Sequence, residues 1–277
     1  IGSALGLDTI ESIRRVLAAM QERGYKVDRI PEDTKEFIAE LTANATNDKN
    51  LLTEKQIAEA NKVTSAEYKK FYDTFEPKVQ AQLVKDWGEA PGTVMEYDGN
   101  LLVPGTMYGN VFVTVQPPRG FGDDPSKIYH SPYCAPTHHY LAFYHWVRDI
   151  WEADAVAHIG THGSLEWLPG KNAGLDCTCY PDLALGVNIY PYNICITGEG
   201  IQAKRRGAAC LIEHLPAPQS KAGVYDELEE LEKIMDEYVH FETTQPENLS
   251  HLEELVKEKV TAANLQDEVE YDESKPF

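Results

Sequence analysis

A chain of 277 residues with 42% hydrophobic residues can bury a substantial core, as one large domain or two smaller ones. Its formal charge of -20 argues against a general nucleic-acid binder, because counterion release rewards basic surfaces. No apolar run reaches the roughly 18 residues of a membrane span, and five cysteines without a secretory signal predict a reduced, cytoplasmic protein rather than a disulfide framework.

The opening residues, IGSALGLDTI, carry neither a signal-peptide pattern nor an initiator methionine, and the expectation is a piece of a longer polypeptide. Thr9 to Arg23 then places Ile10, Ile13, Val16, Leu17 and Met20 at helical spacing, with Asp8 as its cap and Gly24 as its stop. A short extended run, Tyr25 to Ile30, leads through Pro31 into a helix over Thr34 to Leu41. Thr53 caps a helix beginning near Glu54, and Ala66 to Asp86 reads as helical with a break at Pro77. Thr93 to Tyr97 and Asn100 to Val103 form a strand pair around Asp98-Gly99, a preferred hairpin turn.

The VFVTV run, Val111 to Val115, has the character of a buried strand and enters the rigid loop QPPRGFGDDP, Gln116 to Pro125. From Pro136 the chain reads PTHHYLAFYHWVRDIWEAD. Tyr140, Phe143, Tyr144, Val147 and Trp151 make a helical stripe that reads as core, while His138 and His139 stand at the helix entrance as candidates for a metal contact, a substrate contact or a pH-sensitive cap. Ala153 to Ile159 reads as a second buried strand.

That strand delivers AVAHIGTHGSLEWLPGK, Ala155 to Lys171, where site chemistry is expected. Gly160 and Gly163 argue against one regular helix through His158, Thr161, His162 and Glu166. Ile159 stands where a zinc peptidase of the H-E-x-x-H type needs glutamate. Six residues separate Gly163 from Gly170 and Asn172 replaces the Ser/Thr of a phosphate-binding loop, so Lys171 is not read as a P-loop lysine. Ile194 to Thr197 is a further strand expectation, followed by a helix carrying the basic cluster Lys204 to Arg206. Beyond Val224, Tyr225, Leu228, Leu231, Met235 and Tyr238, and then Leu249 to Val260, give acidic amphipathic helices.

These patterns predict an α/β fold: an open, mainly parallel sheet flanked by helices, with peripheral acidic C-terminal helices. Residues 1–108 would form a helical and α/β lead-in, residues 109–223 the α/β core with the His/Glu motif, and residues 224–277 the helical tail.

Several long motifs occur in order: GNVFVTVQPPRG, GDDP, PTHHYLAFYHW, ADAVAHIGTHGSLEWLPGK, CYPD and GEGIQAKRR. In these the chain resembles the large subunits of ATP-dependent tetrapyrrole metal chelatases, the CobN and magnesium-chelatase H group. The resemblance implies binding of a porphyrin or corrin-type ring and insertion of a divalent metal. It also implies AAA+ ATPase partners that consume ATP, bridging subunits, and the remainder of a much larger subunit. QPPRG and HHYLAFYHW look like the cobalt branch, which favours Co2+ over Mg2+, whereas THGSLEW is close to the magnesium wording.

Metal insertion removes two ring N–H protons, and imidazole and carboxylate can relay protons or ligate a metal transiently. His158, His162 and Glu166 are therefore the expected catalytic and metal-handling residues, with His162 and Glu166 leading. Gln116, Arg119, His138, His139, Trp167, Lys171, Glu199, Lys204 and Arg205 are the expected ring contacts. Among them, arginine pairs with the ring's acidic substituents and Trp167 covers its apolar face. Two other readings stay open: a zinc hydrolase using His158, His162 and Glu166, and a noncatalytic tetrapyrrole-binding or scaffold fragment.

Overall fold

The computed structural model of the chain describes residues 7–44, 46–48, 51–120, 131–160, 163–186, 191–194, 197–213, 227–244, 249–263 and 265. For 191–194, 197–199, 213, 227 and 242–244 it describes the backbone alone. The chain divides into two compact units, Ile1–Ala217 and Pro218–Phe277.

The first unit opens with α1 (Thr9–Glu22), whose free N–H groups are capped where the Asp8 carboxylate accepts from the Glu11 N–H at 2.9 Å. Gly24 takes a φ of 85° and ends the helix, as its lack of a Cβ allows. α2 (Thr34–Asn44) packs Phe37 and Leu41 against Ile10, Leu17, Val27, Tyr108 and Val113 in one apolar cluster. Enclosing a side chain the size of Leu17 contributes about 2 kcal/mol.

α3 (Glu54–Glu59) and α4 (Ser65–Tyr72) each begin with a capping box, Thr53 with Gln56 and Thr64 with Glu67. The helical pattern over Ala66 to Asp86 resolves into α4 and α5 (Pro77–Trp87). Pro77 sits in the first turn of α5, where a missing N–H removes no helical bond.

β1 (Asn61–Thr64), β2 (Glu96–Tyr97) and β3 (Asn100–Val103) form an antiparallel sheet in the order β1-β3-β2. Asp98 and Gly99 both take positive φ, 47° and 75°, and make the expected hairpin turn. β4 (Thr106–Tyr108) and β5 (Val111–Val113) form a second antiparallel pair.

α6 (His138–His145) runs through the larger core. Thr137 caps it, every residue from His138 to Tyr144 is buried, and a π-helical turn, Trp146–Ile150, extends it. A helix apolar on nearly all sides has to be enclosed, and Tyr68, Phe71, Leu83, Leu101, Leu165, Tyr180 and Ala203 belong to the cluster around it. Beyond it come β6 (His158–Ile159), a 3-10 turn at Leu165–Trp167, α7 (Tyr180–Leu185), β7 (Pro191–Ile194), α8 (Thr197–Gly207) and β8 (Cys210–Glu213). The three strands pair in parallel in the order β6-β7-β8.

The expected open, mainly parallel sheet flanked by helices is not the fold. The described residues are predominantly helical, and their strands are short and split among three small sheets, two of them antiparallel. The VFVTV run does not enter a central sheet. It ends as a strand at Val113, in a hairpin with β4, and Pro117 and Pro118 beyond it have no N–H to give a ladder. The apolar run Ala153 to Ile159 contributes only the two residues of β6. Its start is tied back to the helical core, where the Ala153 N–H donates to the Val147 carbonyl at 2.9 Å.

The second unit is a helical hairpin of α9 (Glu227–Thr244) and α10 (Leu249–Ala262). Tyr238 donates to Glu253 at 3.4 Å and Lys259 pairs with Glu230, so the helices run antiparallel, and Tyr238, Leu252 and Val256 are buried.

Candidate functional site

Four segments of the first unit build one polar cluster inside the apolar core. The residues after β5 supply Gln116 and Arg119, α6 supplies Tyr140 and Tyr144, β6 supplies His158, and the following segment supplies Gly163, Ser164 and Glu166. Tyr140 and Tyr144 lie four apart and therefore share a helix face, which places both hydroxyls in one direction.

Gln116 is the hub. Its Nε2 donates to the hydroxyls of Tyr140 at 3.1 Å and Tyr144 at 2.6 Å, and its Oε1 accepts from the backbone N–H of Ser164 at 2.9 Å and the Ser164 hydroxyl at 3.2 Å. Tyr140 and Ser164 hydroxyls lie 3.1 Å apart, and the Tyr144 hydroxyl lies 3.1 Å from His158 Nε2. Burial pushes both phenols well above the ordinary tyrosine value, so they remain hydrogen-bond donors. Burial pushes His158 the other way, to about 3, which keeps the imidazole neutral.

Glu166 is fully enclosed at 0% exposure, a position that a carboxylate occupies only with compensating partners. Its charge acts on the Tyr140 and Tyr144 phenols and on the buried guanidinium of Arg206. Arg206 comes from α8, donates to the Leu168 carbonyl at 2.7 Å, and is held below its ordinary value by burial, against the opposing pull of Cys179 and Glu166. The 3-10 turn that carries Glu166 is also held from the other side. Arg119, 1% exposed, donates to the carbonyls of Trp167 at 2.9 Å, Ser131 at 2.7 Å and Cys134 at 3.3 Å.

Of the residues expected from sequence, Gln116, His158 and Glu166 come together here, with Arg119 and half-buried Trp167 at the turn that carries Glu166. His162 lies outside the described residues. His138 and His139 are buried but bond elsewhere. His138 Nε2 meets the Gly88 carbonyl at 3.0 Å and must carry the proton, so its Nδ1 accepts from the Tyr68 hydroxyl at 2.8 Å. His139 Nε2 donates to the Leu102 carbonyl at 2.9 Å. These bonds join the start of α6 to α4, the end of α5 and β3. Lys171 is exposed and pairs with Asp176 at 2.5 Å; Lys204 and Arg205 are exposed on α8. The backbone of Glu199 lies in α8, and its side chain is outside the described part of the structure.

Tyr140, Tyr144 and Ser164 complete the cluster without a site role expected from sequence, and Arg206, expected only as part of the basic cluster Lys204 to Arg206, is the member of it that is buried. Two tyrosines four apart in an apolar stripe were a usable signal, because a buried phenol needs a polar partner. Ala203, three residues before Arg206 and fully buried, marks the inward face of α8. Among the described residues no three His, Cys, Asp or Glu side chains are grouped to hold a metal ion, and no helix among them is long and apolar enough to cross a membrane.

A family model described as CobN/Magnesium Chelatase matches residues 1–276. The chain is 50% identical over 244 residues to an uncharacterized protein of Methanocaldococcus jannaschii, covering 87% of this chain and 20% of that one. It is 39% identical over 254 residues to the aerobic cobaltochelatase subunit CobN of Pseudomonas aeruginosa, covering 91% of this chain and 20% of that one. Among solved structures, the catalytic subunit of cobaltochelatase from Mycobacterium tuberculosis is similar with a TM-score of 0.72 and 34% identity, over 98% of this chain and 24% of that one. The chain thus spans about a fifth of the length of the curated relatives it matches. On a family match over nearly its whole length, the chain belongs to the CobN/magnesium chelatase family.

Proposed function

We propose that this chain is the region of a cytoplasmic chelatase large subunit that binds a porphyrin or corrin-type ring and takes up ring protons as a divalent metal enters. Cobalt is favoured over magnesium, AAA+ ATPase and bridging subunits are the partners, and the remainder of a larger subunit completes the site. The observation that carries the reading is Glu166: a fully enclosed carboxylate whose charge acts on a buried arginine and on two buried phenols, one of which is hydrogen-bonded to His158. Ring metalation releases two N–H protons, and carboxylate and imidazole are the side chains suited to accept them. Glu166 and His162 are assigned the proton and metal work, with His158 beside them. The preference for cobalt rests on the QPPRG and HHYLAFYHW forms of the sequence.

The test is metal insertion by the full-length subunit with its ATPase and bridging partners, supplied with Co2+ or Mg2+ and candidate rings. Glu166→Ala and His162→Ala should each lower the initial insertion rate by about 100-fold or more, with ring binding within about twofold of the parent. Unchanged rates in both variants defeat the assignment. Ring binding without insertion, with all partners present, would identify a noncatalytic binding region.

A further inference from the structure

The side-chain amide of Gln116 makes as many hydrogen bonds as its atoms allow. The Ser164 N–H can only donate, so the Gln116 atom 2.9 Å away is the amide oxygen, and the amide nitrogen faces the two phenols. That nitrogen has two hydrogens and two acceptors, the hydroxyl oxygens of Tyr140 at 3.1 Å and Tyr144 at 2.6 Å. The oxygen has two lone pairs and two donors, the N–H of Ser164 and its hydroxyl at 3.2 Å. A polar group of a bound ring could reach this amide only by displacing one of these partners.

Two of these bonds hold α6 and two hold the turn that carries Glu166. Ser164 lies two residues before Glu166, and the N–H groups of Trp167 and Leu168 return to the carbonyls of Ser164 and Leu165 at 3.2 Å each, so a fixed Ser164 fixes the turn. The far side of the turn is gripped by Arg119, on the Trp167 carbonyl at 2.9 Å, and by Arg206, on the Leu168 carbonyl at 2.7 Å. Only Pro117 and Pro118 separate Gln116 from Arg119, and their rings fix the backbone φ between the two gripping side chains. The QPPR stretch is a stiff brace with one arm on each side of Glu166.

We infer that Gln116 is a positioning residue that fixes Glu166 relative to α6, and not a contact of the ring. The inference rests on the proposed chelatase role for what Glu166 does once it is placed, whereas the anchoring of Ser164 by Gln116 belongs to the protein without substrate. A misplacement of about 1 Å in a reacting group can cost on the order of 100-fold in rate. Loss of this anchor therefore acts on the insertion step through Glu166 and leaves ring affinity alone. Gln116 moves from the ring contacts expected in sequence to the support of the carboxylate.

The experiment has two arms, both on the full-length subunit. In the first, hydrogen exchange read by mass spectrometry over peptides spanning residues 164–168 compares the parent with Gln116→Ala and Gln116→Glu. Gln116→Ala takes the acceptor from a buried N–H and should speed exchange there by about tenfold or more. Gln116→Glu keeps an oxygen opposite that N–H and should stay within about threefold of the parent. Unchanged exchange in Gln116→Ala, or equal acceleration in both variants, overturns the anchoring role, whatever the insertion assay shows. In the second arm the subunit is given its ATPase and bridging partners, Co2+, and the free-base ring, porphyrin or corrin type, that the parent metalates. Gln116→Ala should lower kcat for insertion by about tenfold or more, with the Kd of that ring within about twofold of the parent. A Kd weakened by about tenfold makes Gln116 a ring contact and overturns the inference, and an unchanged kcat overturns its link to Glu166. Insertion that survives in Glu166→Ala defeats the proposed function, while the exchange arm still decides the anchoring, so the two claims fail separately.

Discussion

Gly163 stands against His158 so closely that a methyl group at its Cα would lie 2.3 Å from Nδ1 and 2.8 Å from Cε1. Real Cβ contacts do not approach so near, so Gly163→Ala must move the imidazole or the segment that leads to Ser164. Forced displacement in a packed site costs about 1–3 kcal/mol. Denaturant melts of Gly163→Ala should show that loss, and the Tyr144–His158 bond should be broken with it. A stability within about 0.5 kcal/mol of the parent would mean that the segment yields freely.

His138 and His139 make stability depend on pH. Burial pushes both imidazoles below the ordinary histidine value, His139 to about 4. In the unfolded chain they take up protons near pH 6.5, so between that value and about 4 the unfolded state binds more protons than the native one. Stability is thus fully present above pH 6.5 and falls as the pH drops toward 4, by about 3 kcal/mol from His139 alone. Chemical melts of the parent and of His139→Gln, which can still donate to the Leu102 carbonyl, should diverge in slope between pH 7 and pH 5. Parallel slopes would refute a neutral buried His139.

The parts of this fold that were legible in sequence are those set by neighbours along the chain. Asp8, Thr53 and Pro77 mark helix starts because capping and the proline ring act within one turn, and Asp98-Gly99 marks a hairpin because its backbone angles are local. Val111–Val115 and Ala153–Ile159 are apolar and β-branched and so suggest a large parallel sheet, but pairing depends on partners far along the chain and on the N–H groups that Pro117 and Pro118 lack. The site divides in the same way. Histidine and glutamate between glycines identify themselves by residue type, whereas Tyr140 and Tyr144 look like core until Gln116 is seen between their hydroxyls. In Lys204-Arg205-Arg206, composition does not say which cation turns inward; burial of Ala203 does.

Arg119 should be needed for the turn that carries Glu166. Its guanidinium is enclosed and holds the carbonyls of Trp167, Ser131 and Cys134 together. Arg119→Ala removes three charge-assisted donors and should cost about 3–5 kcal/mol. Arg119→Lys should recover little of this, because one ammonium cannot reproduce the planar fork. The sequence also suggested that Arg119 meets acidic groups of the ring. An equilibrium Kd for the ring that is unchanged in folded Arg119→Lys would assign the residue to structure alone, and a weakened Kd would support contact.

Arg206 and Glu166 should be coupled energetically. Arg206 is 8% exposed, its Nε has no hydrogen-bond partner among the described residues, and Glu166 opposes the effect of burial on it. A cation kept in such a place is stabilised by nearby negative charge, and the enclosed Glu166 is one source of that charge. Arg206→Met leaves Glu166 buried with less compensation, and Glu166→Gln does the same to Arg206, so each alone should destabilise by about 3 kcal/mol. The double variant removes both charges together and should cost less than the two single losses combined, by about 0.5–3 kcal/mol. Denaturant melts of the four proteins measure this difference directly. Additive losses would mean that the two charges do not sense each other, and the carboxylate would then depend on other groups for its place in the core.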